Sequence, residues 1–261
     1  MSPIPAKSKP NTAATDGEQA TDQAEAASKP SAKTASTAKK TAKSKPPVPA
    51  ANPDVTGKQI VFDSNEDRFS VADQAINDPD ILKLLVENLA GAERRLRQFS
   101  AGAIAVVSER QPQLLAAFIP QIADALHRPE AQTRWESLEA LARIIALDPD
   151  AAGDAVSGAE ASLYDEENGP ARLGAVRFLA AYGAIDTKRS TRVWPYIDEA
   201  IQVYHGDPEF QDMLVAVIAF ASGKVAKPVR EALVARMRFD AENAKGPLQR
   251  RAEQIIQLAE G

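Results

Sequence analysis

The chain has no cysteine. That excludes a disulfide framework, a thiolate zinc site and a cysteine nucleophile, and it fits a reducing compartment. Its two histidines, His127 and His205, are 78 residues apart, too few and too far apart to suggest a histidine-built metal site. No apolar run approaches the roughly 18 residues of a membrane span, and the N-terminus lacks the apolar core of a signal peptide. A soluble, cytoplasmic protein without membrane attachment is expected. Catalytic signatures are missing as well: there is no Walker loop, no Gly-x-Gly-x-x-Gly, no Gly-x-Ser-x-Gly elbow and no His-Glu-x-x-His. Ser222-Gly223-Lys224 lacks the upstream glycine spacing of a phosphate loop and reads as a connection between helices. These absences predict no enzyme activity, no cofactor and no metal.

Aromatic residues make up 5% of the chain, and residues 1–57 contain none. That stretch has four large aliphatics, Met1, Ile4, Val48 and Val55, and eight of the 18 prolines. Such a composition buries too little apolar surface to offset the entropy of ordering a backbone, so a disordered tail is expected. Its eight lysines against five acids give a net +3, whereas residues 58–261 carry 23 basic and 31 acidic residues, a net −8. Lys29, Lys33, Lys39, Lys40, Lys43 and Lys45 follow one another without an intervening acid. The segment SAKTASTAKKTAKSKPP resembles the lysine–alanine–proline tails of linker-histone-like proteins in composition. Lysines in this pattern fit either a solvated linker or weak, salt-sensitive nucleic-acid contact, with no aromatic present to stack on bases.

Beyond residue 57 apolar residues recur at helical spacing, and QIVF at 59–62 reads as a short strand or an apolar anchor. Taking Arg97, Arg134, Arg172, Gln211 and Leu248 as anchors, the residues four, seven and eight positions further on are apolar in all five cases. This defines one helix face repeated at intervals of 37, 38, 39 and 37 residues. A second helix precedes each of these, joined through the turns GAERR, HRPEAQ, DEENGP, HGDPE and NAKGP. Pro170, Pro208 and Pro247 suit the first turn of the second helix, where a missing N–H leaves no bond unmade. Five stacked helix pairs over 79–261 follow, with 58–78 as an N-terminal cap segment. One pair alone cannot bury its apolar face, whereas a stack makes a continuous core.

The second helices RWESLEALARIIALDPD (134–150) and ARLGAVRFLAAYGAID (171–186) resemble those of HEAT repeats. The resemblance implies an all-α fold, an α-solenoid of about five HEAT-like helix pairs preceded by a disordered N-terminal tail. Pro120 and Pro195 correspond to the kink common in the first helices of that family. Arg97, Arg134 and Arg172 recur near the start of second helices and read as a structural ladder bonding turn carbonyls or neighbouring acids. The two histidines, at the ends of first helices, read as partners of unpaired helix carbonyls.

In a solenoid of this kind the concave surface is usually lined by second helices. Counting outward from the anchors, the exposed stripe includes Phe99, Trp135, Glu136, Glu139, Arg143, Arg177, Met213 and Phe220. Large apolar side chains there mark either a partner-binding groove or packing between repeats. The leading reading is a non-enzymatic scaffold holding a protein or peptide on the concave face. One alternative is a nucleic-acid-associated protein using Lys33, Lys39, Lys40, Lys43 and Lys45. A second arises because Trp135, Glu139, Arg172 and Trp194 are similar to part of the set used by HEAT-like alkylation-repair DNA glycosylases.

Overall fold

The structure is a computed structural model that describes residues 67–261. The lysine tail and the QIVF segment lie outside the described residues. Eleven α-helices run through the described residues, and no strand occurs among them. Helix α1 (Arg68–Asn77) begins where the Asp67 carboxylate accepts the Phe69 N–H. Helix α2 (Pro79–Leu89) begins the same way, with the Asp78 carboxylate accepting from Asp80 and Pro79 in the first turn.

The five pairs expected from the periodicity are present. They are α2 with α3 (Arg94–Arg110), α4 (Ile119–Asp124) with α5 (Ala131–Ile144), and α6 (Ala155–Leu163) with α7 (Gly169–Gly183). Then come α8 (Thr187–Val203) with α9 (Phe210–Ala221), and α10 (Lys227–Asn243) with α11 (Gly246–Glu260). The second helices α3, α5, α7, α9 and α11 pack each on the next in chain order, and α1 packs on α2 and α3 at the N-terminal end. Between the layers runs one continuous core that includes Leu85, Ile104, Leu138, Phe178, Phe210 and Phe220. Among the described residues, no helix is long and apolar enough to cross a membrane.

Proline accounts for one departure from simple pairing. Pro120 does not kink a long first helix: the second pair starts as a 3-10 segment, Pro112–Phe118, and α4 begins only at Ile119 with Pro120 in its first turn. Pro195 is inside α8, and that helix continues past it. Pro170 and Pro247 occupy the first turns of α7 and α11 as expected, while Pro208 belongs to the turn before α9. The turn into α11 also needs Gly246, whose φ of 67° falls in the left-handed region.

The fourth anchor needs correction. Gln211 is only half-buried and Val215 and Ala219 are exposed, whereas Phe210, Leu214 and Val217 are buried. The repeat anchor in α9 is therefore Phe210, and the spacings become 37, 38, 38 and 38.

The arginine ladder is structural, and its bonds tie each turn to the next. Arg97 donates from Nη1 to the carbonyls of Gly91 (2.7 Å) and Ala92 (2.9 Å), and places Nε and Nη2 on the two carboxylate oxygens of Glu130. Arg134 donates to the Pro129 carbonyl at 3.1 Å and to Asp165. Arg172 donates to the carbonyls of Asp165 and Glu166, both at 2.9 Å, and to the Asp207 carboxylate at 2.7 Å. Each guanidinium thus closes its own turn and grips an acid one repeat later, using the planar fork of donors that lysine lacks. At Phe210 the ladder changes chemistry. His205 Nε2 lies 3.0 Å from Asp240 Oδ1, so this histidine pairs with a buried acid rather than helix carbonyls. Arg251 donates to Gln211.

The hydrogen bond from Arg97 holds the Glu130 carboxyl below its ordinary range, against the opposing effect of burial. At Asp186, the Arg189 backbone N–H has the same effect. A depressed carboxyl stabilises the fold above the ordinary carboxylate range, and that contribution is lost as pH falls through the depressed value. In urea unfolding between about pH 5 and pH 3, stability of the wild type is therefore expected to fall more steeply than that of Glu130→Gln.

Candidate functional site

The chemistry-bearing residues gather in a cleft of about 440 Å³ on the second-helix layer, bounded by α1, α3, α5 and α7. Because α5 and α7 keep the 38-residue spacing, Trp135 corresponds to Leu173 and Glu139 to Arg177. The floor between these helices is close-packed at Gly174. A Cβ there would lie 3.2 Å from the Leu138 Cβ and 3.5 Å from the Trp135 carbonyl oxygen. Gly102, Ala105 and Val106 form the α3 wall, with Glu109 near its end.

Helix α1 supplies the remaining wall through Arg68 and Phe69. Arg68 passes over Gly102, its Cδ 3.5 Å from where a Cβ would stand, so a side chain larger than alanine's would meet it. Arg68 reaches across α3 to donate to Glu136 at 2.9 Å. Its guanidinium carbon is also 5.1 Å from the centre of the exposed Phe69 ring. Glu139 receives Arg177 from the next repeat and pairs at 3.5 Å with Arg143 on its own helix.

Burial, with the Glu139 charge adding to it, pushes the Glu136 carboxyl above its ordinary range, while Arg68 and the Trp135 indole act in the opposite direction. No group of three or more His, Asp or Glu residues suited to a metal occurs among the described residues.

Five of the eight stripe residues therefore meet in one cleft: Trp135, Glu136, Glu139, Arg143 and Arg177. Phe99 is half-buried against the core, outside the cleft lining. Met213 and Phe220 are not surface residues, being 2% and 0% exposed. The one-residue shift of the α9 anchor turns their side of the helix inward. Arg172 is occupied in the turn ladder, and Trp194 is packed against the core from α8, so neither joins Trp135 and Glu139. Arg68 and Phe69 were missed because α1 stands outside the repeat period. Glu109 was missed because the stripe was counted only nine residues past the anchor; one further helical step reaches it.

No protein-family model matches the chain, and no curated protein matches it in sequence. Solved structures do match in shape. A designed armadillo repeat protein in complex with the peptide (KR)4 superposes with a TM-score of 0.61 at 15% identity, covering 74% of this chain and 90% of that one. The fold is an α-solenoid of the HEAT/armadillo repeat type. Computationally designed armadillo repeat proteins for modular peptide recognition give a TM-score of 0.59 at 16% identity, covering 75% and 87% of the two chains. An engineered structural-genomics target gives 0.60 at 15% identity, covering 76% and 85%. At these identities the likeness establishes the solenoid fold.

Two expectations follow. Phe220→Ala leaves a cavity in the solenoid core and lowers unfolding free energy by about 3–5 kcal/mol, whereas Trp135→Ala at the cleft costs less than about 2 kcal/mol. Equal losses in urea unfolding would show that Trp135 is core. Glu136→Gln removes a carboxylate that is costly to ionise. Its folded pKa is raised, so the cost is present above that value and vanishes below the ordinary carboxylate range. Thermal unfolding should find the variant more stable than wild type at pH 7, with the difference disappearing by about pH 4.

Proposed function

We propose that this chain is a non-enzymatic binding scaffold that receives an extended protein or peptide segment across its second-helix face, in the cleft between α1, α3, α5 and α7. One observation carries the reading: an indole and aliphatic walls lie beside charged side chains delivered by four separate helices into a single open cleft. Apolar surface supplies the area to be buried, while flanking charges fix the register of a bound strand. The stacked core beneath keeps the second helices at fixed spacing, so little ordering is required when a ligand binds. The peptide-binding purpose of designed armadillo proteins with similar shape supports the same use of this surface.

The full chain probed against an array of random nonapeptides should retain a reproducible subset of sequences. Gly102→Leu would fill the space beside Arg68 and is expected to lose that subset while keeping helical circular dichroism and a cooperative unfolding transition. Unchanged peptide selection by a folded Gly102→Leu protein would sink the assignment to this cleft.

A further inference from the structure

The cleft contains both signs of charge, but they are not equally available. Glu136 and Glu139 are recessed, their side chains 12% and 18% exposed, whereas Arg68, Arg143 and Arg177 are 45%, 39% and 39% exposed. Arg143 and Arg177 converge on the single Glu139 carboxylate, so although three arginines and three glutamates line the cleft, two guanidiniums share one acid at this point. Arg177 uses one N–H donor on the Glu139 carboxylate, Arg68 one on Glu136 and Arg143 one on the Glu139 backbone carbonyl, as counted among the described residues. Each guanidinium has five such donors, arranged to meet a carboxylate through paired bonds. Glu109, near the end of α3, is the one exposed acid of the lining, against the three solvated guanidiniums.

We infer that the cleft selects an acidic peptide segment, placing a ligand carboxylate on Arg143 and Arg177 and an adjacent apolar side chain against Trp135 and Leu173. The inference rests on the scaffold reading above and specifies its ligand. The recessed glutamates serve as internal counter-ions: they hold the guanidiniums in position and reduce their mutual repulsion. A cationic ligand instead meets three solvated guanidiniums before it can reach Glu136 or Glu139. Charge complementarity therefore decides the class of ligand, while the apolar wall adds burial without strong sequence preference.

Trp135 and Trp194 are the chain's two tryptophans, so full-length Trp194→Phe leaves Trp135 as the sole indole reporter in the cleft. Three nonapeptide mixtures, randomised except for two fixed glutamates, two fixed lysines or two fixed serines, are titrated at low salt. The glutamate mixture should shift Trp135 emission with an affinity at least about tenfold above both others. Arg143→Gln should reduce that preference to within about threefold of the serine mixture, because one of the paired guanidiniums is gone. Glu139→Gln should strengthen binding of the glutamate mixture, an effect opposite in sign to mere loss of structure. Preference for lysine, or no preference among mixtures that bind, overturns this inference and leaves the scaffold reading intact. No Trp135 response to any mixture, together with an array that retains no peptides, overturns both.

Discussion

An arginine at the head of a second helix has unmade bonds on two sides. Behind it are turn carbonyls that no helix satisfies, and ahead is an acid of the next repeat. In Arg97, Arg134 and Arg172 one side chain answers both demands. Apolar stacking alone would tolerate sliding between repeats, since a surface of alanine, leucine and isoleucine offers many nearly equivalent contacts. Directional bonds remove that freedom. The cleft depends on the result: Arg177 meets Glu139 only because α5 and α7 are held in a fixed register.

The repeat architecture was readable in the sequence because its cause is local and periodic. Apolar residues three and four apart define a helix face, and prolines mark several of the places where helices begin. The failure in α9 has a definite origin. FQDMLVAVIAFA is apolar almost all the way round, so periodicity alone supports two registers differing by one residue. Side-chain area breaks the tie: placing Phe210 and Phe220 inside buries two rings and leaves the smaller Val215 and Ala219 outside.

The cleft was only partly legible for a related reason. Trp135, Glu136, Glu139, Arg143 and Arg177 obey the repeat and could be found by counting along it. Arg68 and Phe69 come from a helix before the first pair, so no internal comparison locates them. The pairing of charges was equally hidden. Sequence shows similar numbers of glutamates and arginines along the stripe, whereas depth below the surface distinguishes recessed acids from solvated guanidiniums.

Among the long-range side-chain hydrogen bonds of the described residues, partners are typically about one repeat apart, as in Arg172–Asp207, Asp198–Arg236 and Glu160–Tyr196. Arg68–Glu136 spans 68 residues and passes over a whole repeat. In a chain whose cooperativity otherwise spreads between nearest neighbours, such a bond makes the two ends unequal. Fraying of α10–α11 breaks side-chain bonds to the adjacent repeat, as at Arg236–Asp198 and Arg251–Gln211. Release of α1 also removes a partner from the second repeat, so loosening at the N-terminal end reaches one repeat further into the stack.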